Sequence, residues 1–127
     1  MATSKNLKVD LLAATQFFPP QDPEINWQAD ASATDAESLV EFAGRACYET
    51  FAKPNPHTAA NDAYLHHIME VGHTALLEHA TATLYIRGIS RSVSHELVRH
   101  RHFSFSQLSQ RFVHSGDAQF VMPDAVA

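Results

Sequence analysis

Hydrophobic and polar positions along the chain change period several times, which predicts a mixture of strands and helices. Residues 7–17, LKVDLLAATQF, mix branched residues with short alternation and predict a first strand. Residues 80–89, ATATLYIRGI, alternate small or polar with apolar residues and predict a second strand that ends at Gly88. Residues 118–123, AQFVMP, predict a short last strand. With the helices between them, these strands indicate an α+β fold.

Two helices are predicted between the first two strands. Thr34 and Glu37 form a T-x-x-E capping box, and the apolar spacing after it predicts a helix that ends near Phe51. The prolines of KPNPHT then impose a turn. In NDAYLHHIMEVG, Asn61 is expected to cap the second helix and Gly72 to end it.

A third helix and an extended segment follow the second strand. SRSVSHELVRHR (90–101) begins at an N-cap serine, and a helix there aligns Arg91, His95 and Arg99 on one face. After residue 102 the pattern becomes alternating, so we expect an extended chain. Its polar face carries the side chains of Gln107, Ser109 and Arg111, and its apolar face carries anchors, which are Leu108 and Phe112.

Composition limits the class of protein. The 127 residues suffice for one domain, expected over residues 1–127, and 45% hydrophobic content is typical of globular chains. The net charge of -5 argues against a general nucleic-acid surface, and no apolar run is long enough to cross a bilayer. The N-terminus shows no export signal, and the lone cysteine is typical of a reducing compartment, so a cytoplasmic protein is expected. Cys47, inside an apolar helical pattern, is expected to be buried and unreactive.

One run of thirteen residues concentrates hydrogen-bond donors. Residues 99–111 read RHRHFSFSQLSQR and contain no acid, although the chain as a whole is acidic. Arginine forks match the oxygens of phosphate, and serine and backbone amides supply further donors, so the run predicts an oxyanion site. Two alternatives stay open: a solvated basic turn paired with acids elsewhere, or a loop that binds nucleic acid through its phosphates and bases.

The histidines do not predict a metal site. His95, His100 and His102 are close in sequence, but no acid or cysteine stands at ligand spacing with them. The remaining histidines are read as helix-face or core residues.

The same run carries a family resemblance. Arg99-His100-Arg101, seven further residues and then Ser109 form the RHR-x7-S signature of the flavin-dependent thymidylate synthases. FAGRACYETFAKPNP, VGHTALLEHA and ISRSVSHELVRHRHFSFSQLSQRFV resemble the N-terminal half of that family in the same order.

The resemblance implies an activity and an assembly. Members of this family convert dUMP to dTMP, with methylenetetrahydrofolate as the carbon donor and NADPH as the reductant of bound FAD. They need no cysteine nucleophile. The implied fold is α+β, with a mixed sheet and packed helices, and the implied assembly is a homotetramer whose sites are built from several subunits.

The resemblance also implies site residues. FAD is expected to contact Arg99, His100, Arg101, Gln107 and His73. The dUMP site is expected to use one group at the end of the third helix, which comprises Glu96, Leu97, Val98 and Arg99. A second group, expected from a neighbouring subunit, comprises Gln107, Leu108, Ser109, Gln110 and Arg111.

The chain departs from the family at two points. Ala75 stands where the family has a hydroxyl residue that contacts FAD, and loss of one such contact costs on the order of 1 kcal/mol. Family members are roughly twice as long, and their second half supplies the arginine thought to polarise the dUMP ring. No catalytic residue is therefore assigned in this chain, which is expected to be a truncated form with weak or no turnover. The alternative is a non-catalytic remnant that binds nucleotide or flavin, or serves assembly.

Overall fold

A computed structural model describes residues 6–113, 121 and 122. Five regular elements follow one another: β1 (Lys8–Ala14), α1 (Asp35–Ala46), α2 (Asn61–Glu70), β2 (Ala82–Arg87) and α3 (Arg91–Leu97). Short 3-10 helices span Pro56–Thr58 and Thr74–His79. The predicted α+β class is confirmed.

The strands β1 and β2 form a two-stranded sheet. The Thr15 amide donates to the Thr81 carbonyl at 3.0 Å, and Asp10 forms an ion pair with Arg87, so the strands are antiparallel. Gly88 ends β2 at φ +72°, where an added Cβ would collide with the backbone of residue 6. Within the described ranges the sheet is thus smaller than the mixed sheet expected. The predicted last strand lies outside the described residues except for positions 121 and 122.

Backbone packing divides the chain into two compact units. Residues 1–10 and 84–127 form one, here called the α3 unit, and residues 11–83 form the other, the α1–α2 unit. The single domain expected over residues 1–127 stays a prediction.

Helix α1 begins as predicted and ends earlier than predicted. Thr34 and Glu37 form the capping box, and the hydrogen bonds from Thr34 lower the pKa of the Glu37 carboxyl. The helix ends at residue 46, not near residue 51, because Glu49 takes a left-handed backbone at φ +51°. Cys47 therefore becomes the C-cap and is exposed, so its predicted burial is wrong.

The core of the α1–α2 unit is small and partly aromatic. Its buried apolar side chains are Trp27, Val40 and Ile68. Phe42 lies 5.3 Å from Trp27 between ring centroids, and Phe17 meets the indole edge-to-face at 5.5 Å. These contacts pack the loop before α1 against the helix, which explains the burial of Trp27 in a segment without regular structure.

A buried polar network ties α1 to α2. Glu41, with 0% of its surface exposed, contacts Arg45 at 2.6 Å and Lys53 at 3.1 Å. The Asn61 side-chain amide donates to the same carboxylate at 2.8 Å, so Asn61 is not the N-cap predicted for α2; that position belongs to Ala60. Lys53 also bonds Asp30 at 2.8 Å, and this hydrogen bond lowers the pKa of the Asp30 carboxyl.

Replacement of Gly44 by alanine is expected to destabilise the α1–α2 unit. A Cβ at this position would overlap the Tyr64 hydroxyl and lie 2.9 Å from Leu76 Cδ1. Overpacking of this kind costs about 1–3 kcal/mol, which outweighs the gain of about 1 kcal/mol in helix propensity. Urea unfolding should show that the free energy of unfolding of the Gly44→Ala variant is lower by about 1 kcal/mol.

Tyr64→Phe supplies the control for that experiment, because it removes the atom nearest to the added methyl group. In the Tyr64→Phe background the same Gly44→Ala change should cost measurably less. An equal cost in both backgrounds would show that the Tyr64 hydroxyl does not limit the space at this position.

Candidate functional site

Helix α3 carries the first part of the candidate site and is shorter than predicted. The Ser90 hydroxyl caps it by accepting the Val93 amide at 3.2 Å. The helix ends at Leu97, and the chain then turns with i to i+3 hydrogen bonds, among them the Arg99 amide donating to the Glu96 carbonyl at 3.2 Å. Arg99 thus lies beyond the helix, and its predicted alignment with the helical face of residues 91 and 95 is wrong.

Glu96, which precedes the cationic run 99–111 in the sequence, forms an ion pair with the first arginine of that run. Arg99 Nη1 lies 3.5 Å from Glu96 Oε1, and both side chains are about three-quarters exposed. An exposed pair of this kind contributes little to stability and leaves most of the guanidinium free to bond a ligand. The geometry is therefore compatible with an anion that bonds the outer edge of Arg99.

The His100 ring is fixed at one nitrogen. Its Nδ1 lies 3.2 Å from the Glu96 carbonyl and 3.3 Å from the Leu97 carbonyl. Because carbonyls only accept, Nδ1 must carry the proton, and Nε2 is left for a ligand. This contact anchors the ring on the last turn of α3.

Two residues of α3 hold the segment that follows it. Arg91 Nη2 donates to the Leu108 carbonyl at 2.9 Å, and Gln107 Nε2 donates to Ser94 Oγ at 2.5 Å. Sequence reasoning assigned neither Arg91 nor Ser94 to the site. The signal in the sequence that could have indicated a shared role is their separation of three residues, which places both side chains on one face of a helix.

The chain beyond residue 108 turns where an extended strand was predicted. The Arg111 amide donates to Ser109 Oγ at 3.3 Å, and the Val113 amide donates to the Ser109 carbonyl at 3.2 Å. Leu108 and Phe112 are 68% and 85% exposed, so neither anchors the segment as expected. The local hydrogen bonds of Ser109 prevail over the alternating pattern.

The structure brings most of the predicted residues together in one unit. The α3 unit contains Glu96–Arg101 and Gln107–Arg111, and all of these side chains are exposed except Leu97 and Ser109, which are half-buried. The Arg111 guanidinium lies 5.7 Å from the Phe112 ring centroid. Within the described ranges, no carboxylate forms an ion pair with Arg101 or Arg111. The cluster thus presents several cationic donors and one acid.

Charge is divided unevenly between the units. The α3 unit has seven lysines and arginines against four acids, whereas the α1–α2 unit has two against ten. The net charge of -5 of the whole chain is therefore the sum of a positive balance in the α3 unit and a larger negative balance in the α1–α2 unit. The unit that contains RHRHFSFSQLSQR is the one with the positive balance.

His73 belongs to the α1–α2 unit. It lines a cavity of about 260 Å³ together with Arg45, Tyr48, Tyr64 and His67, among others. Arg45 lies 4.6 Å from the Tyr64 ring centroid, and burial raises the pKa of the Tyr64 hydroxyl. Sequence reasoning treated Arg45 and Tyr64 only as helix residues, because the pattern does not show that the loop at residues 50–58 encloses them.

Residues 6–113, 121 and 122 contain neither a membrane-spanning helix nor a metal-ligand cluster. None of the helices there has both the length and the apolar character needed to span a bilayer. No three histidine, cysteine, aspartate or glutamate side chains in that part of the chain converge as metal ligands would.

Comparison with known proteins identifies the family. Residues 31–127 match the family described as thymidylate synthase complementing protein, and the chain belongs to that family. The chain is 68% identical to a flavin-dependent thymidylate synthase of Corynebacterium aurimucosum over 100% of its own length and 50% of the relative. A protein of the same description from Mycobacterium leprae is 58% identical over 97% of this chain and 47% of its own. The resemblance is thus confirmed, and the chain spans about half the length of the curated relatives it matches.

Proposed function

We propose that the chain binds dUMP and FAD as the N-terminal half of a flavin-dependent thymidylate synthase. In this proposal dUMP is methylated to dTMP, methylenetetrahydrofolate supplies the carbon, and NADPH supplies the reducing equivalents. Membership of the family and the printed description of the relatives support it. The observation that carries it is the exposed donor cluster at the end of α3.

The donor set fits phosphorylated ligands. Arg99, Arg101 and Arg111 offer planar guanidinium groups. Among these three, Arg99 alone forms an ion pair within the described part of the chain, and that pair, with Glu96 at 3.5 Å, is exposed to solvent. The half-buried Ser109 hydroxyl, which already accepts the Arg111 amide, has its own proton left to donate to a phosphate oxygen. Charge-assisted hydrogen bonds of this kind are the strong ones in phosphate recognition.

Each proposed residue has a binding or orienting role. Arg99, His100 and Arg101 would hold FAD, with Gln107 beside them, while Glu96–Arg99 and Gln107–Arg111 would hold dUMP. When bound, the flavin supplies hydride-transfer chemistry. We assign Ser109 to binding, since no base in the described part of the chain activates its hydroxyl.

His73 is proposed as a further flavin contact from the α1–α2 unit. Its cavity combines aromatic walls with the Arg45 guanidinium and hydroxyl groups, which suits part of a planar heteroaromatic ligand. Ala75, in the 3-10 helix after His73, offers no hydroxyl, so this contact region is proposed to contribute less than in relatives with one.

Assembly as a homotetramer is part of the same proposal. Every residue of β1 and β2 is exposed, including Leu11 at 63% and Leu84 at 52%. Apolar surface of this extent is typical of chains that associate. The second candidate is a binding or assembly form without turnover.

The test is an FAD titration of the purified chain, followed by flavin absorbance and fluorescence, with and without dUMP. We expect saturable binding that tightens or shifts when dUMP is present, because the two ligands are proposed to bind next to each other on the donor cluster. Riboflavin, which lacks the phosphates of FAD, is the matched control and should bind more weakly.

The outcomes separate the candidates. Flavin binding with dTMP formation supports the enzyme, and flavin binding without dTMP formation supports the non-catalytic form. Absence of binding to both FAD and dUMP would contradict the proposed function.

A further inference from the structure

The Ser94 hydroxyl has a defined hydrogen-bond direction. Ser94 Oγ lies 2.9 Å from the Arg91 carbonyl oxygen, three residues earlier on α3. A carbonyl oxygen only accepts, and a serine hydroxyl has a single proton. That proton is therefore directed to the Arg91 carbonyl, and the lone pairs of Ser94 Oγ are left to accept.

The orientation of the Gln107 amide follows from that direction. The end of the amide that lies 2.5 Å from Ser94 Oγ must be a donor, which is the Nε2 group. The reversed amide would place Oε1 against the Ser94 lone pairs, with no proton between two acceptors. Gln107 Oε1 is consequently the amide atom that points away from Ser94, and it accepts no hydrogen bond from residues 6–113.

The backbone beside Gln107 is held at the same time. Arg91 Nη2 bonds the Leu108 carbonyl at 2.9 Å, so the segment and the amide are both fixed to α3. The surrounding cationic side chains, Arg99, Arg101 and Arg111, are pure donors. Gln107 Oε1 thus adds an oriented, uncharged acceptor to a cluster whose one carboxylate, that of Glu96, lies 3.5 Å from Arg99.

We infer that Ser94 positions the Gln107 amide so that Gln107 recognises a ligand N–H, of the imide type found in a uracil or an isoalloxazine ring. The inference rests on the proposed function and assigns Gln107 to ring recognition instead of phosphate binding. Ser94 acts through Gln107 and is a positioning residue. A cytosine ring, which has an acceptor at the same ring position, meets Oε1 without a proton between them.

The experiment compares ligands with and without the imide proton. Dissociation constants of the full chain are measured for dUMP and N3-methyl-dUMP, and for FAD and N3-methyl-FAD. For one of the two pairs, the N–H ligand should bind about fivefold or more tightly, the size of one hydrogen bond. The pair that shows the preference tells whether the uracil or the flavin is the source of the N–H.

Variants test the role of Ser94. Ser94→Ala should bring the ratio of the two dissociation constants, N-methyl ligand over N–H ligand, close to one, because the Gln107 amide is then free to reverse. Ser94→Thr keeps the hydroxyl and should keep the ratio. Ser92→Ala, an exposed serine of the same helix, should leave it unchanged. Gln107→Leu should abolish it with Ser94 intact.

The results distinguish this inference from the proposed function. Binding of dUMP or FAD with no preference for the N–H ligand of either pair overturns the inference alone. Equal weakening of both members of a pair by Ser94→Ala, with the ratio preserved, shows a merely structural role and also overturns it. Failure to bind either parent ligand removes the proposed function together with this inference.

Discussion

Replacement of Glu41 by glutamine is expected to lower the free energy of unfolding by about 3–5 kcal/mol, the usual cost of breaking a buried ion pair from one side. Glu41 is fully buried, accepts hydrogen bonds from Arg45 and Asn61, and forms an ion pair with Lys53 at 3.1 Å. Glutamine has nearly the same shape, but it removes the negative charge and turns an amide NH2 toward these donors. Arg45, 2% exposed, would be left as a buried cation. Urea or thermal unfolding of the chain measures the effect.

Glu70→Gln is the matched control, because it makes the same chemical change on an exposed face of α2. Its carboxylate is 63% exposed and lies 3.6 Å from His66. Loss of an exposed pair changes stability by less than about 1 kcal/mol. Similar stability of the two variants would show that the network around Glu41 does not hold α1 and α2 together.

Replacement of Arg99 by alanine is expected to weaken FAD and dUMP binding together by about one to two orders of magnitude, the value of one or two charge-assisted hydrogen bonds. Arg99 stands at the turn after α3, exposed and only loosely paired with Glu96, so its removal should leave the fold intact. Titrations with each ligand and a circular dichroism spectrum measure the two effects separately.

Two further variants separate charge from geometry at this position. Arg99→Lys keeps the charge without the planar fork, and should recover only part of the affinity. Lys8→Ala removes an exposed cation of β1 from the same unit, and should leave both affinities nearly unchanged. Unchanged affinity of Arg99→Ala for both ligands would refute the placement of the site.

Local signals in the sequence were reliable where the decisive contacts are local. The capping box at Thr34 and Glu37, the N-cap at Ser90 and the stop at Gly88 are all present as predicted. Each depends on atoms within about one helical turn or one strand end, so its residues suffice to specify it. The ends of helices were less well predicted, because the left-handed residue at Glu49 has no strong signature.

Contacts between distant segments were not predictable from pattern. Asn61 was expected to cap α2, but its side chain bonds Glu41, twenty residues earlier. Alternation after residue 102 predicted an extended segment, whereas the hydrogen bonds of Ser109 and the contact from Arg91 to Leu108 give a turn held on α3. Periodicity reports which side chains share a face, and it cannot report which distant donor meets which acceptor.

The sequence by itself determined the family, the α+β class and the set of candidate residues, because the RHR-x7-S spacing and the caps are properties of neighbours along the chain. The tertiary structure alone decided how those residues are oriented. The Glu96 partner of Arg99, the protonated nitrogen of His100 and the direction of the Gln107 amide all depend on hydrogen bonds that close only when α3 and the following segment fold together. Orientation is a property of paired groups in space, which is why it is absent from the one-dimensional pattern.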